Sequence, residues 1–137
     1  MKNLQKAQAE HPVHGVGRRK SSVSRVWLRQ GSGQIEVNGK THATYFDTDI
    51  ARDCVVNPLK LTGLDKKFNI QVNVNGGGMM GQAGAVSLAI SRAILINDET
   101  LRRILRENGL ITVDARKKER KKYGQRGARA KFQFVKR

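Results

Sequence analysis

The sequence predicts an α+β fold, with a small sheet of about four strands, helices mainly on one face and an extended basic tail. Phe68–Val74 alternates strictly between apolar and polar residues, and apolar residues recur at helical spacing from Gln82 to Ile96. The last 23 residues, 115–137, hold 11 basic side chains and one acidic side chain. The chain therefore divides into a polar lead-in over residues 1–13, a body over residues 14–113 and a tail over residues 114–137.

Turn residues bound the other predicted strands. Residues 22–29 and 34–37 are separated by Gln30-Gly31-Ser32-Gly33, which predicts a β-hairpin, and Asn38-Gly39 marks the next turn. Leu110–Val113 is a short β-prone run and is the candidate last strand.

Three helices are predicted between and after the strands. Gln82–Ile96 is apolar on most sides and rich in small residues, which predicts a buried helix lying close to the sheet. A second helix begins at an N-cap within Asn97-Asp98 and ends at Gly109. A shorter helix over Asp49–Val56 is expected to end at Asn57-Pro58, because a residue before proline disfavours helical geometry.

The net charge of +16 indicates a polyanionic partner, with nucleic acid expected first and an acidic membrane surface second. The sequence contains no uninterrupted run of about 18 apolar residues, so it predicts no membrane span. The first ten residues lack the apolar core of a signal peptide, and Cys54 is the only cysteine. These features favour a reducing compartment.

The glycine run Gly76–Gly81 follows a predicted strand, opens a helix and satisfies the dinucleotide-binding pattern G-x-G-x-x-G. That pattern also requires a following parallel strand and an acidic residue about 20 positions on, but here Asp98 and Glu99 begin another helix. Two compatible interpretations remain. The glycines permit a sharp bend, or their N–H groups bind a phosphate at the helix N-terminus.

No residue constellation predicts catalysis. The three histidines lack metal-ligand spacing with Cys54, which is interpreted as a small core residue rather than a nucleophile. The carboxylates within Asp47–Asp53 suit capping and solvent exposure better than cation binding. The sequence therefore predicts no enzyme, no cofactor, no metal site and no small-molecule substrate.

Basic residues cluster at the start of the body. Arg18-Arg19-Lys20 is placed before the first predicted strand, where Ser21-Ser22 and backbone amides can share phosphate contacts. Arg25 and Arg29 follow on one side of that strand, together with Trp27. The alternative is a solvated edge strand protected by charge, and packing is favoured over base stacking for a lone tryptophan.

The tail interleaves cations with three of the seven aromatic residues: Tyr123, Phe132 and Phe134. Aromatic rings among guanidinium groups suit RNA, because unpaired bases can stack on them and phosphates neutralise the charge. The tail buries too little apolar surface to fold alone, and when fully extended it spans about 80 Å.

Three stretches resemble the small-subunit ribosomal protein nine family. Gly76–Ile94, GGGMMGQAGAVSLAISRAI, resembles the family's signature segment. Gly15–Lys20, together with Val23 and Arg25-Val26, is similar to its first strand, and residues 114–124 are similar to its tail junction. The ending Gln133–Arg137 resembles the bacterial branch, which usually has a serine where Val135 stands. The resemblance covers about residues 14–137.

The resemblance implies a fold like the second domain of small-subunit ribosomal protein five, with binding to small-subunit rRNA in the head of the particle. It also implies that the tail reaches the peptidyl-site tRNA and that neighbouring head proteins are partners. The location would be the cytoplasmic ribosome rather than an organelle of bacterial descent. A free nucleic-acid-binding protein outside the ribosome and a nucleotide-dependent enzyme remain alternatives.

Candidate contact residues fall in three groups, and the C-terminal pair is assigned to tRNA by resemblance alone. The expected rRNA contacts of the body are Arg18, Arg19, Lys20, Ser21, Arg25, Gly76, Gly77, Gly78, Gly81 and Gln82. Those of the tail are Arg116, Lys117, Lys118, Arg120, Lys121, Lys122, Tyr123, Arg126, Arg129 and Lys131. The expected tRNA contacts are Lys136 and Arg137.

Overall fold

The computed structural model describes residues 12–135, which form a five-stranded mixed sheet, four helices and a C-terminal segment without regular structure. The predicted α+β class is confirmed, with five strands in place of about four. The strands are β1 (Val13–Arg19), β2 (Ser22–Gln30), β3 (Ile35–Val37), β4 (Lys40–Thr41) and β5 (Phe68–Asn75). The helices are α1 (His42–Tyr45), α2 (Asp49–Thr62), α3 (Met79–Asn97) and α4 (Arg102–Glu107), with a 3-10 turn at Glu99–Leu101.

The sheet order is β1-β2-β5-β3-β4, so the predicted hairpin between β2 and β3 is wrong. β5 lies between them, antiparallel to β2 and parallel to β3. The intervening turn is bound to β5, because the Asn69 Oδ1 atom accepts backbone N–H bonds from Ser32, Gly33 and Gln34 at 2.9–3.2 Å. Local turn residues therefore direct the chain over the end of β5 instead of closing a hairpin.

Leu110–Val113 is not a strand, which corrects a second prediction. Gly109 adopts a left-handed conformation, and the Leu110 N–H donates to the Leu105 carbonyl at 2.9 Å. Leu110 and Ile111 pack against the core as part of this helix end. The start of this apolar run therefore forms the C-terminal cap of α4, as in other helices that end at a glycine.

α2 continues through Pro58 to Thr62, although the sequence predicts an end at Asn57-Pro58. Proline removes one helical hydrogen bond. Val55 and Leu59, on either side of it, are both buried in the core, and Pro58 is buried with them. Burial of this apolar face outweighs the local cost, and Gly63 ends the helix.

Helices α2 and α3 cover one face of the sheet, as predicted, and the apolar positions of the central strands point toward them. In β2 and β5, Val26, Leu28, Ile70 and Val72 point toward the helices and are at most 2% exposed. α3 is the central core helix, and most of its residues are buried. Its length and composition would also suit a membrane span, but its burial accounts for its apolar character.

β1 packs very closely against α3. Gly15 and Gly17 are the inward positions of β1, and a Cβ atom on Gly17 would lie 2.6 Å from the Ala89 nitrogen. Glycine on the strand and alanine on the helix therefore let the two backbones approach. This contact fixes the end of β1 beside the first turns of α3, where the candidate site begins.

Candidate nucleic-acid interface

The glycine loop, residues 76–78, lies directly against the turn that joins β1 to β2. Gly76 and Gly77 have φ values of +75° and +67°, which side chains disfavour. A Cβ atom on Gly76 would lie 2.6 Å from the Ser21 carbonyl oxygen, and the Ser22 hydroxyl donates to the Gly76 carbonyl at 2.8 Å. The glycines thus form the sharp strand-to-helix bend that the sequence predicts.

The N-terminus of α3 is accessible beside this loop. Gly78 is the N-cap residue, no side chain caps the helix, and nothing lies within 4 Å of the position of a Cβ on Gly78. Because the first N–H groups of a helix have no partner within it, this end presents hydrogen-bond donors that suit an anion. Gly76, Gly77 and Gly78 are exposed, whereas Gly81 is buried beneath Ser22.

The Gln82 side chain is hydrogen-bonded to the glycine loop. Its amide nitrogen donates to the Gly76 carbonyl at 3.2 Å, and its Oε1 atom accepts from the Tyr45 hydroxyl at 2.9 Å. The Asn38 amide donates to Tyr45 at 3.3 Å and bonds both backbone groups of Val74 at 2.9–3.0 Å. Asn38 and Tyr45 support the site, but the sequence indicated only a turn at Asn38.

The structure divides the basic cluster of the β1–β2 turn between two faces of the sheet. Arg18 and Arg19 lie within β1, so their predicted position before the first strand is wrong. Arg18 is exposed and points away from the helices, whereas Arg19 points toward α3 and lies 3.8 Å from the Asp114 carboxylate. Lys20 has a φ of +52° at the tip of the turn, beside exposed Ser21.

Arg25 lies on the sheet face opposite the helices, and the glycine loop does not share that face. It alternates with buried Ser24 and Val26, and it shares its face with Trp27 and Arg29, as the sequence predicts. The structure therefore brings Lys20 and Ser21 close to the glycine loop but separates Arg25 from it.

The tail junction is joined to the β1–β2 turn through Asp114. Arg116 donates from two side-chain nitrogens to the Asp114 carboxylate at 2.8–2.9 Å, and Arg19 approaches the same carboxylate. The bonds from Arg116 and the nearby positive charges hold the pKa of Asp114 well below its usual range. Asp114 is therefore ionised at neutral pH, and its carboxylate holds the Arg116 side chain at the start of the tail.

From Ala115 to Val135 the chain has neither helix nor strand, and nearly every side chain is exposed. Tyr123 and Phe134 are fully exposed, and Phe132 is 65% exposed. The tail cations predicted to contact rRNA are all exposed: Arg116, Lys117, Lys118, Arg120, Lys121, Lys122, Arg126, Arg129 and Lys131. Lys136 and Arg137 lie outside the described residues.

One ion pair closes a loop within the tail. Arg129 donates to both carboxylate oxygens of Glu119 at 2.7 and 2.9 Å, and the Arg126 N–H donates to the Ala130 carbonyl at 2.9 Å. Tyr123 and the cations around it occupy the loop between the paired residues. Two parallel bonds to a carboxylate fix orientation as well as distance.

We expect the carboxyl of Glu119 to titrate below the ordinary glutamate value of about 4.3, because the hydrogen bonds from Arg129 lower its pKa. A lowered pKa means that the carboxylate stabilises the loop above pH 4.3 and that this contribution is lost as pH falls through the lower folded-state value. Carboxyl carbon NMR of the full chain measures the midpoint. Arg129→Gln should restore the ordinary value, and an unshifted midpoint in the unaltered chain would contradict the closed loop.

The described residues contain no metal-binding cluster, and their one cysteine is partly buried. Between residues 12 and 135, no group of three or more His, Cys, Asp or Glu side chains is placed to hold a metal ion. Burial raises the pKa of the Cys54 thiol, which favours its protonated form at neutral pH.

Comparison with known proteins decides the family. The family model described as ribosomal protein S9/S16 matches residues 17–137. The chain belongs to the ribosomal protein S9/S16 family. This family is structural rather than enzymatic, so the predicted absence of an enzyme activity is confirmed by membership.

Curated relatives in the S9/S16 family are similar over nearly their whole length. The small ribosomal subunit protein uS9 of Maridesulfovibrio salexigens is 55% identical over 124 residues, which cover 90% of this chain and 95% of the relative. The uS9 protein of Borreliella burgdorferi is 50% identical, with 90% of each chain covered. That of Syntrophobacter fumaroxidans is 45% identical, with 94% and 99% covered.

Proposed function

We propose that this ribosomal protein is a structural component of the small subunit in the bacterial cytoplasm, where it binds the rRNA of the head. Family membership supports the structural role in translation. The observation that carries the RNA contacts is the exposed tail, in which nine described cations lie in a segment without regular structure. Such a segment can follow the irregular phosphate surface of folded RNA, and each contact releases a condensed counterion.

The body supplies a second, rigid contact. The glycine loop lies against the Ser21 carbonyl beside the N-terminus of α3, and exposed Lys20 precedes Ser21 in the same β1–β2 turn. Phosphate binds well where backbone N–H donors are unshielded by side chains. The hydrogen bonds from Ser22 and Gln82 to the Gly76 carbonyl keep this loop in place. In this proposal Gln82 positions the loop, and the loop backbone contacts the phosphate.

The junction residues set the direction in which the tail leaves the body. Asp114 is bound by Arg116 and approached by Arg19, so the tail begins beside the β1–β2 turn. Lys20 and the first tail cations then contact phosphates that lie close to one another on the RNA. Beyond the Glu119–Arg129 loop, the tail extends toward the peptidyl-site tRNA, and Lys136 and Arg137 contact its phosphates. Neighbouring head proteins flank the body.

Reconstituted small subunits test both parts of this proposal. We expect the full chain to sediment with the subunit after a salt wash, and deletion of Lys136 and Arg137 to preserve sedimentation while weakening peptidyl-site tRNA binding. Loss of two phosphate contacts predicts a decrease of about 10- to 30-fold at physiological salt. Replacement of Lys66 and Lys67, exposed body residues, by glutamine is the control with matched charge.

The outcomes separate the alternatives. Unchanged tRNA affinity of the truncated particles would contradict the assignment of Lys136 and Arg137. A full chain that remains at the top of the gradient and binds nucleic acids generally would indicate a free nucleic-acid-binding protein instead.

A further inference from the structure

One face of the sheet carries no helix within the described residues, and a tryptophan lies among its arginine and amide side chains. We call it the open face. The residues that matter here are Arg18, Arg25, Trp27, Arg29, Gln71 and Asn73, all on the outward positions of β1, β2 and β5. All are exposed except Trp27, which is partly buried.

Strand register places the aromatic and amide groups of the open face side by side. Trp27 pairs with His14 on β1 and with Gln71 on β5, and Arg25 pairs with Asn73. The His14 and Trp27 rings lie 5.4 Å apart at 43°. Depressions of about 430 and 320 Å³ adjoin Trp27, and both also border Arg29 and Gln71. Trp27 thus borders two recesses that are also lined by polar side chains.

The polar side chains of the open face named above have no bonding partners within the part of the chain that the structure describes. Over residues 12–135, the side chains of Arg25, Arg29, Gln71 and Asn73 form no hydrogen bond and no ion pair. The face also carries Arg18, and the one acidic residue in the described strands is Glu36, which pairs with Gln71. Three guanidinium groups against one carboxylate give a net positive face.

We propose that the open face binds unpaired RNA, with one base stacked on Trp27, its edge bonded by Gln71 or Asn73 and the flanking phosphates on Arg25 and Arg29. This inference rests on the proposed function and adds an RNA surface separate from the glycine loop and the tail. Primary amides both donate and accept, which suits base edges, and arginine suits phosphate. Duplex RNA keeps its base faces stacked internally, so only unpaired nucleotides can use the Trp27 ring.

Trp27 is the only tryptophan of the chain, so its fluorescence reports on this face alone. We would titrate the full chain with a labelled 10-nucleotide RNA without self-complementarity and, separately, with a duplex of equal length. RNA anisotropy measures total binding, and Trp27 emission measures contact with the open face. We expect quenching by the single strand, with little quenching by the duplex.

Variants test the stacking contact. Trp27→Ala should weaken single-strand binding about 5- to 150-fold, the range expected for loss of one stacked base, whereas Trp27→Phe retains most of the affinity. Gln71→Ala should reduce quenching in the tryptophan-containing chain. Arg103→Gln, an exposed change on α4, is the control and should alter neither signal beyond a small charge effect. Thermal melting confirms that each variant is folded.

The two readouts distinguish failure of this inference from failure of the proposed function. A rise in anisotropy without a change in Trp27 emission would overturn the open-face site while leaving RNA binding by the tail intact, and would favour a protein on this face. Equal quenching by duplex and single strand would also overturn it. No rise in anisotropy with any RNA would contradict the proposed function itself.

Discussion

Replacing Arg116, Lys117, Lys118, Arg120, Lys121 and Lys122 by glutamine should lower the affinity of the full chain for small-subunit rRNA about 10³- to 10⁴-fold at 0.15 M salt. All six side chains are exposed in the tail, and the change reduces the net charge from +16 to +10. Each lost phosphate contact removes about 0.9 from the slope of log affinity against log salt. Filter binding or anisotropy at several salt concentrations measures both quantities.

The control for this variant removes the same charge from the body. Lys40, Lys60, Lys66, Lys67, Arg103 and Arg106 are exposed and lie away from the glycine loop and the tail. Their replacement by glutamine should reduce affinity far less, because net charge acts over a screened distance whereas contacts act locally. If both variants lost affinity equally, binding would depend on overall charge and the assignment of the tail would be wrong.

Gly17→Ala should destabilise the body by about 3 kcal/mol, at the upper end of the usual overpacking cost. The new Cβ would lie 2.6 Å from the Ala89 nitrogen and 3.1 Å from the Ala85 carbonyl carbon, both in the backbone of α3. Because backbone atoms cannot rotate away, β1 must move off the helix. For a body of about 100 residues this corresponds to a fall in melting temperature of about 12 to 24 °C, which calorimetry measures.

Gly78→Ala is the matched control, because the added Cβ would meet nothing within 4 Å and the glycine has a φ of −98°. We expect a change below about 1 kcal/mol, which reflects only the poorer N-cap. A melting temperature for Gly17→Ala equal to that of Gly78→Ala would show that β1 and α3 are not in close backbone contact.

The elements with strong periodicity were predictable, and those fixed by partners distant in sequence were not. β5 and α3 follow directly from alternation and from helical spacing, and both match the structure closely. β1 shows no alternation of apolar residues, because its inward positions are Gly15 and Gly17, which contribute close approach rather than apolar side chains. The sequence therefore placed the first strand at residues 22–29 and missed β1.

Pairing of strands and support of the candidate site required the folded structure. The insertion of β5 between β2 and β3 depends on a connection through α1 and α2, and no local turn residue reports it. The network from Asn38 through Tyr45 to Gln82 joins three elements, so residue types alone could not show that Gln82 holds the glycine loop. The Glu119–Arg129 ion pair could not be predicted either, because Glu119 lies within a run of cations and its partner is ten residues away.

The salt dependence of binding between the full chain and small-subunit rRNA tests the central claim most directly, because that claim is neutralisation of folded RNA by an exposed cationic segment. For 6 to 10 neutralised phosphates, affinity should fall about 10³- to 10⁵-fold between 50 and 200 mM salt. An affinity that stays nearly constant over this range would contradict the account.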